Sequence, residues 1–149
     1  MAKIKNKDLR TDVQLKAIEV LKSELQMPSD ADKALFTFNF NLQIESKTDV
    51  SQQLVFVITH VEINNEDHSG RLGAVTVSCI FEIENFDSRL KIDSHGRPEI
   101  PDYILEKLTD VSISTTRGVM FSTFKGTFLH AAVLPLIDVN KLQLGSHAK

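Results

Sequence analysis

Few residues of this 149-residue chain have the types and spacing that catalysis or metal binding requires. The single cysteine cannot contribute to a cysteine cluster, and the histidines form neither HxxxH nor HExxH, so the sequence predicts no metal site. These histidines are His60, His68, His95, His130 and His147. The sequence contains no GxSxG nucleophile elbow and no glycine-rich phosphate loop. We therefore expect no catalytic residue, no cofactor and no enzymatic activity.

Three smaller features could still carry chemistry, and each has a structural alternative. Glu82 and Glu84 lie two residues apart and would project to the same side of a strand, as paired acid–base carboxylates do, but such pairs usually form a solvated face. Cys79 falls on the apolar side of a strand, which favours a buried and inert thiol over a nucleophile. His60 lies on the polar side of a strand, which is typical of a surface histidine.

The aromatic residues are more informative than the titratable ones. The chain has nine Phe, one Tyr and no Trp. The spacing of Phe36, Phe38 and Phe40 predicts core positions, whereas Phe121, Phe124 and Phe128 fall outside the regular patterns. Those three neighbour other apolar residues, namely Met120, Leu129 and Val133. This segment either packs beneath a helix or forms a groove for extended apolar peptides, which adaptable Phe and Met side chains suit.

Length and composition indicate one ordinary globular domain, which we place at residues 12–145 after a loose polar terminus at 1–11. Hydrophobic residues make up 42% of the chain and charged residues 25%. The net charge of −3 argues against nucleic-acid binding, which needs a concentrated cationic surface. The lone cysteine excludes an intrachain disulfide and fits a reducing cytoplasm. We expect no signal peptide and no membrane insertion, because no long apolar run occurs.

Three segments have the alternation of half-buried strands: 35–45, 54–63 and 74–84. Short polar links join them, and the strongest turn residues lie in 64–73, so an antiparallel meander is predicted. Residues 85–100 are predicted to form a loop. A helix is predicted from Pro101, and Gly118 is expected to end it in the left-handed conformation.

Residues 13–28 are ambiguous from the residue types alone. Leu15, Ile18, Leu21 and Leu25 form a helical stripe, and the residue types favour a helix. Read with a period of two, the segment has one run at Val13 and Leu15 and another at Leu21, Leu25 and Met27, which would make it a bent strand with a bulge near Ile18.

Several strings, in this order along the chain, resemble the SecB family of export chaperones. VQLKAIEVLKSELQMP is similar to the first strand of that family, FTFNFNLQIES and LVFVITHVEI to the second and third, and VSCIFEIENF to the fourth. Thr116-Arg117-Gly118 resembles the end of the family's long helix. Leu134-Pro135 and Asp138-Val139-Asn140 resemble the loop that opens its last helix. The resemblance covers about Val13 to Leu142.

This resemblance implies an α+β fold in which a four-stranded antiparallel sheet carries one long and one short C-terminal helix on one face. It favours a strand at residues 13–27. It also implies a dimer or tetramer that holds unfolded polypeptides in grooves between sheet and helix, without ATP. The groove residues expected here are Phe81, Phe86, Met120, Phe121, Phe124, Phe128 and Leu129. The expected oligomer interface consists of Tyr103, Ile104, Leu108 and Val111.

The resemblance does not extend to binding of the export translocase motor. The family's basic, cysteine-containing C-terminal tail has no counterpart in LQLGSHAK, and Leu72-Gly73-Ala74 lacks the acidic residue of the family's motor-facing surface. Some SecB-like proteins serve one dedicated partner, such as an antitoxin. That role is the alternative to general binding of unfolded clients.

Overall fold

The computed structural model describes residues 12–26, 37–66 and 70–142. Within them lie four long strands: β1 (Val13–Leu25), β2 (Phe38–Asp49), β3 (Leu54–Asn65) and β4 (Arg71–Ile83). They form one antiparallel sheet in the order β1-β4-β3-β2. The predicted four-stranded antiparallel sheet is confirmed, with β2, β3 and β4 as a meander and β1 at an edge. The loose terminus expected at residues 1–11 lies outside the described residues.

The two central strands supply most of the core. Every second residue of β3 is fully buried, because its side chain points to the face that the rest of the chain covers: Val55, Val57, Thr59, Val61 and Ile63. The polar residues of β2, such as Asn41 and Gln43, alternate with half-buried apolar ones and face the opposite side.

A turn at residues 50–53 joins β2 to β3, and the Asp49 carboxylate closes it by accepting hydrogen bonds from Ser51 Oγ (2.7 Å) and the Gln52 amide (3.0 Å).

Strand β1 resolves the ambiguity in favour of a strand from Val13 to Leu25, and residues 27 and 28 lie outside the described residues. Its pairing with β4 slips twice, between Leu15 and Ala17 and between Val20 and Lys22, on either side of Ile18. Each slip is a bulge that restores the alignment of apolar side chains with the core face of β4. The helix propensity of these residues favours a helix, but pairing with β4 from Val13 to Leu25 stabilises the strand more.

The connection from β4 to the long helix has more structure than the predicted loop. Residues Phe86–Arg89 form a short helix, α1, whose Phe86 is buried. Strands β5 (Lys91–Ile92) and β6 (Pro98–Glu99) then form a small hairpin. The Asp93 carboxylate holds its turn by accepting hydrogen bonds from the backbone amides of His95 and Arg97, both at 2.8 Å.

The long helix α2 (Asp102–Thr123) follows Pro101, as predicted, and packs on one face of the sheet against β3 and β4. The predicted end at Gly118 is wrong, because Gly118 lies inside the helix. The end is set further on, where the Phe124 amide still donates to the Met120 carbonyl (3.0 Å) and Gly126 takes the left-handed conformation (φ 80°).

Small hydroxyl residues line the sheet side of α2, where Thr109, Ser112 and Thr116 are all fully buried. The Ser112 and Thr116 hydroxyls donate to the carbonyls of Leu108 and Ser112, both at 2.7 Å. Hydrogen bonding within the helix lets the Ser112 and Thr116 hydroxyls be buried at low cost, whereas the buried Thr109 hydroxyl has no hydrogen-bond partner within the described part of the chain.

After α2 the chain forms a 3-10 turn (Phe128–Ala131), an extended stretch and a second 3-10 turn (Val139–Lys141). The second 3-10 turn lies where the short C-terminal helix was predicted. Residues after 142 lie outside the described residues, so the rest of that prediction stays a prediction. The first turn packs into a notch at Gly73. A Cβ on Gly73 would lie 2.6 Å from Leu129 Cδ1 and 3.0 Å from the Glu24 carbonyl oxygen, so only glycine fits without movement.

Candidate functional site

Most of the predicted groove residues lie in the core. Five of the seven are at most 2% exposed: Phe81, Phe86, Met120, Phe124 and Leu129. Phe124 and Leu129 both lie near Gly73 on β4, which explains their burial. In this arrangement the five buried residues belong to the core and have almost no exposed area for a ligand to contact.

The other two predicted groove residues lie nearer the surface. Phe121 is 53% exposed on α2, and its ring lies 5.5 Å from that of His130, measured between centroids. Phe128 is half-buried at the start of the first 3-10 turn. Val133 and Leu136, in the extended stretch, are exposed as well, and Leu136 is 92% exposed. The sequence pattern alone could not separate Phe121 from Phe124, because the difference arises from the way the chain turns after α2.

An open pocket of about 340 Å³ lies beside Phe121, between α2 and the extended stretch. Its lining consists of Ser114, Arg117, Gly118, Phe121, Ala132 and Val133. The volume is at the lower end for ligand pockets and could take one or two apolar side chains. Gly118 leaves the helix backbone bare here, since a Cβ on Gly118 would meet no atom within 4 Å.

Arg117 connects the two walls of this pocket. Its Nε donates to the Leu134 carbonyl at 2.7 Å, and one terminal nitrogen donates to the Pro135 carbonyl at 2.9 Å. The guanidinium therefore fixes the extended stretch against α2 by its backbone, independently of side-chain identity there.

The predicted oligomer-interface residues divide between two sides of α2. Ile104 and Leu108 are buried against the sheet, whereas Tyr103 (68% exposed) and Val111 (37%) face outward. Their helical spacing places Tyr103 and Val111 on the same side as Phe121. The outward side of α2 thus carries apolar side chains that the described chain leaves uncovered.

Sequence reasoning assigned no role to the apolar row on β1. Five of its side chains are 40 to 54% exposed: Leu15, Ile18, Val20, Leu21 and Leu25. Four of them are paired with core-facing residues of β4, so they lie on the helix side of the sheet, where α2 packs on β3 and β4. Among the described residues no strand pairs with the outer edge of β1. The two-residue periodicity with a slip near Ile18 was the signal for this row.

The outer face of the sheet carries a chain of charges beside half-buried apolar side chains such as Phe56, Ile58 and Ile80. Arg71 contacts Glu24 of β1 at 2.9 Å and Glu62 of β3 at 3.1 Å. His60 lies between Thr76 and Glu62. Burial raises the pKa of Glu62, but hydrogen bonds from Arg71, His60 and Asn41 outweigh it and leave that pKa below its ordinary value. This network connects β1, β3 and β4, so its role is to stabilise the sheet.

The remaining sequence candidates for chemistry have structural roles. Burial raises the pKa of the Cys79 thiol, against hydrogen bonds with Ser112 and Thr115, so the thiol stays protonated and inert. Glu82 is solvated and pairs with Lys16 at 3.2 Å. Within the described ranges no three His, Cys, Asp or Glu residues cluster as metal ligands, and no described helix is long and apolar enough to cross a membrane.

Comparison with known proteins gives a likeness in structure only. No protein-family model matches the sequence, and no curated protein matches it. Among solved structures, the chain is similar to the SecB-like chaperone Rv1957 of Mycobacterium tuberculosis, solved in complex with a ChAD peptide from the antitoxin HigA1 (Rv1956). The TM-score is 0.60 at 10% identity, over 85% of this chain and 91% of that one. The described chain therefore has the SecB-like fold.

Proposed function

We propose that this protein is an ATP-independent chaperone that binds exposed apolar segments of non-native polypeptides in the cytoplasm. The observation that carries the proposal is the uncovered apolar surface of a SecB-like fold, in two places: the pocket beside Phe121, and the row on β1. A soluble monomer seldom leaves so many large apolar side chains exposed without a partner.

Each place suits an extended chain with little sequence preference. The pocket can take apolar side chains between α2 and the extended stretch. Among the residues that the structure describes, no strand covers the outer edge of β1 beside its apolar side chains, and proteins bind a peptide as an extra strand at such an edge. Apolar burial and backbone hydrogen bonding discriminate weakly between sequences, as a holdase requires.

The outward side of α2 supports self-association. Tyr103 and Val111 are large and exposed on the outward side of α2, and we propose that they contact a second copy in a dimer or tetramer. A native mass of two or four chains would support this part of the proposal, and a monomer at micromolar concentration would contradict it.

Service to one dedicated partner is the second candidate function. The similar Mycobacterium tuberculosis protein was solved with a peptide from an antitoxin, which makes a short segment of one partner a plausible ligand for this fold. A pull-down that returns one stoichiometric protein, together with no binding of generic unfolded chains, would favour it.

The direct test measures binding of a fluorescein-labelled, Phe- and Leu-rich extended peptide by anisotropy. Phe121→Asp is expected to weaken binding by about tenfold or more, because it places a charge at the pocket. Ser122→Asp is the matched control: it adds the same charge one residue away, at an exposed position outside the pocket lining. Equal affinity of the two variants would contradict the proposal for the pocket.

A further inference from the structure

The segment that forms the pocket beside Phe121 is opposite in charge to the whole chain. The chain carries a net charge of −3, yet no acidic residue occurs between Asp110 and Asp138. All the residues that line the pocket belong to this interval, and its Lys and Arg residues are Arg117 and Lys125. The pocket is therefore built from a cationic segment of an acidic protein.

Arg117 is the charged side chain in the lining of the pocket, and it has no carboxylate partner within the described residues. Its Nε and one terminal nitrogen donate to neutral groups, the carbonyls of Leu134 and Pro135. A guanidinium has further N–H donors in the same plane, and those of Arg117 bond nothing in the described part of the chain. The two carbonyls thus fix the orientation of the guanidinium and leave its positive charge without a counter-ion.

The spacing of Arg117 and Phe121 matches that of alternate side chains in an extended peptide. The two residues are four apart on α2, so their side chains leave the helix on one side, about 6 Å apart. Alternate residues of an extended chain also point to one side and lie about 7 Å apart. A carboxylate and a large apolar side chain two residues apart in a bound segment could therefore reach Arg117 and Phe121 together.

We propose that this pocket prefers polypeptide segments in which Asp or Glu stands two residues from a large apolar residue. The carboxylate binds the Arg117 guanidinium, whose planar fork suits it, and the apolar side chain enters the pocket beside Phe121. The proposal rests on the proposed function and adds to it the class of segment that this site selects. A segment with Lys or Arg in the acidic position would face the unneutralised guanidinium and bind less well.

The first experiment changes only the ligand. Three versions of one extended peptide carry Asp, Asn or Lys two residues before a central Phe, with the same N-terminal label and an amidated C-terminus. In anisotropy titrations at low salt, the full chain should bind the Asp version about fivefold more tightly than the Asn version, and the Lys version most weakly. The differences should shrink at about 0.5 M NaCl, because salt screens the charges. Equal affinity for the Asp and Asn versions would overturn the proposal.

The second experiment assigns the preference to Arg117. Arg117→Met removes the guanidinium and should bring the ratio of the Asp and Asn affinities close to one. Lys125→Met is the matched control, since it removes the same charge at an exposed position outside the pocket lining, and it should keep the ratio. Equal loss of the ratio in the two variants would overturn the role of Arg117. If Arg117→Met binds neither peptide, Arg117→Lys decides: it retains the charge and should still prefer the Asp version, and a ratio of one would contradict the proposal.

A fourth peptide distinguishes an acidic side chain from a terminal carboxylate. It has Asn in the variable position and ends at the Phe with a free carboxylate, and tighter binding of this peptide than of the Asp version would overturn the preference for acidic side chains. Equal binding of the Asp and Asn versions would leave the proposed function standing without this preference. If the parent chain binds none of the peptides, the proposed function of the pocket fails together with the preference.

Discussion

At the scale of single residues, two glycines show how the chain is built around its apolar side. Gly73 gives room for Leu129, and Gly118 leaves the helix bare at the pocket. The two positions have opposite steric environments, so the same substitution is expected to have opposite effects on stability.

Gly73→Ala is expected to lower the free energy of unfolding by about 1–3 kcal/mol, because its Cβ would meet Leu129 Cδ1 and the Glu24 carbonyl. Gly118→Ala is expected to raise it by about 0.5–1 kcal/mol, because alanine favours the helix and its Cβ meets nothing. Urea unfolding of both variants measures the difference. Equal effects in the two variants would contradict the notch at Gly73.

Glu62 makes stability depend on pH. The pKa of Glu62 in the folded state lies below its ordinary value. The ionised carboxylate therefore stabilises the fold fully at pH values above that ordinary pKa. That contribution is lost as the pH falls through the folded pKa and the carboxylate takes up a proton. The stability difference between the parent chain and Glu62→Gln should therefore be largest near neutral pH and shrink in acid. A difference that stays constant from pH 7 to pH 3 would show that the carboxylate is not coupled to Arg71 and His60.

At the scale of elements, β1 shows which strands can be predicted from the sequence and which cannot. The alternation in β2, β3 and β4 predicts those strands, since each pairs with a sequence neighbour. For β1, local propensity favours a helix, and the strand forms because the segment pairs with β4, which is distant in the sequence. Likewise, the apolar content of residues 119–134 is evident in the sequence, yet burial of Phe124 and exposure of Phe121 depend on how the chain meets Gly73.

The exposed row on β1 is expected to contribute to polypeptide binding more than to stability. Ile18→Lys should weaken binding of the apolar peptide by about fivefold or more, with little change in urea unfolding, because the side chain is already half exposed. Ser23→Lys is the control: its pairing with Val75 puts it on the same face of the same strand, and it is polar already. Equal losses in the two variants would mean that charge on β1, rather than loss of apolar area, reduces binding.

At the scale of the whole molecule, the apolar surfaces have a consistent arrangement. On the outer face of the sheet, charge pairs lie beside half-buried apolar side chains such as Phe56 and Ile80, whereas most of the exposed large apolar side chains lie on α2, in the extended stretch and along β1. Most of the exposed large apolar side chains therefore lie on the helix side of the molecule, which is where we propose that a second copy and apolar polypeptides bind.

The most direct test of this account is suppression of aggregation, measured by light scattering as chemically denatured luciferase is diluted into buffer without ATP. We predict that a stoichiometric amount of the protein suppresses most of the scattering, that Phe121→Asp loses most of this effect, and that Ser122→Asp retains it. Undiminished aggregation in the presence of the folded parent protein would contradict the chaperone function, and equal activity of all three proteins would contradict the role of the pocket.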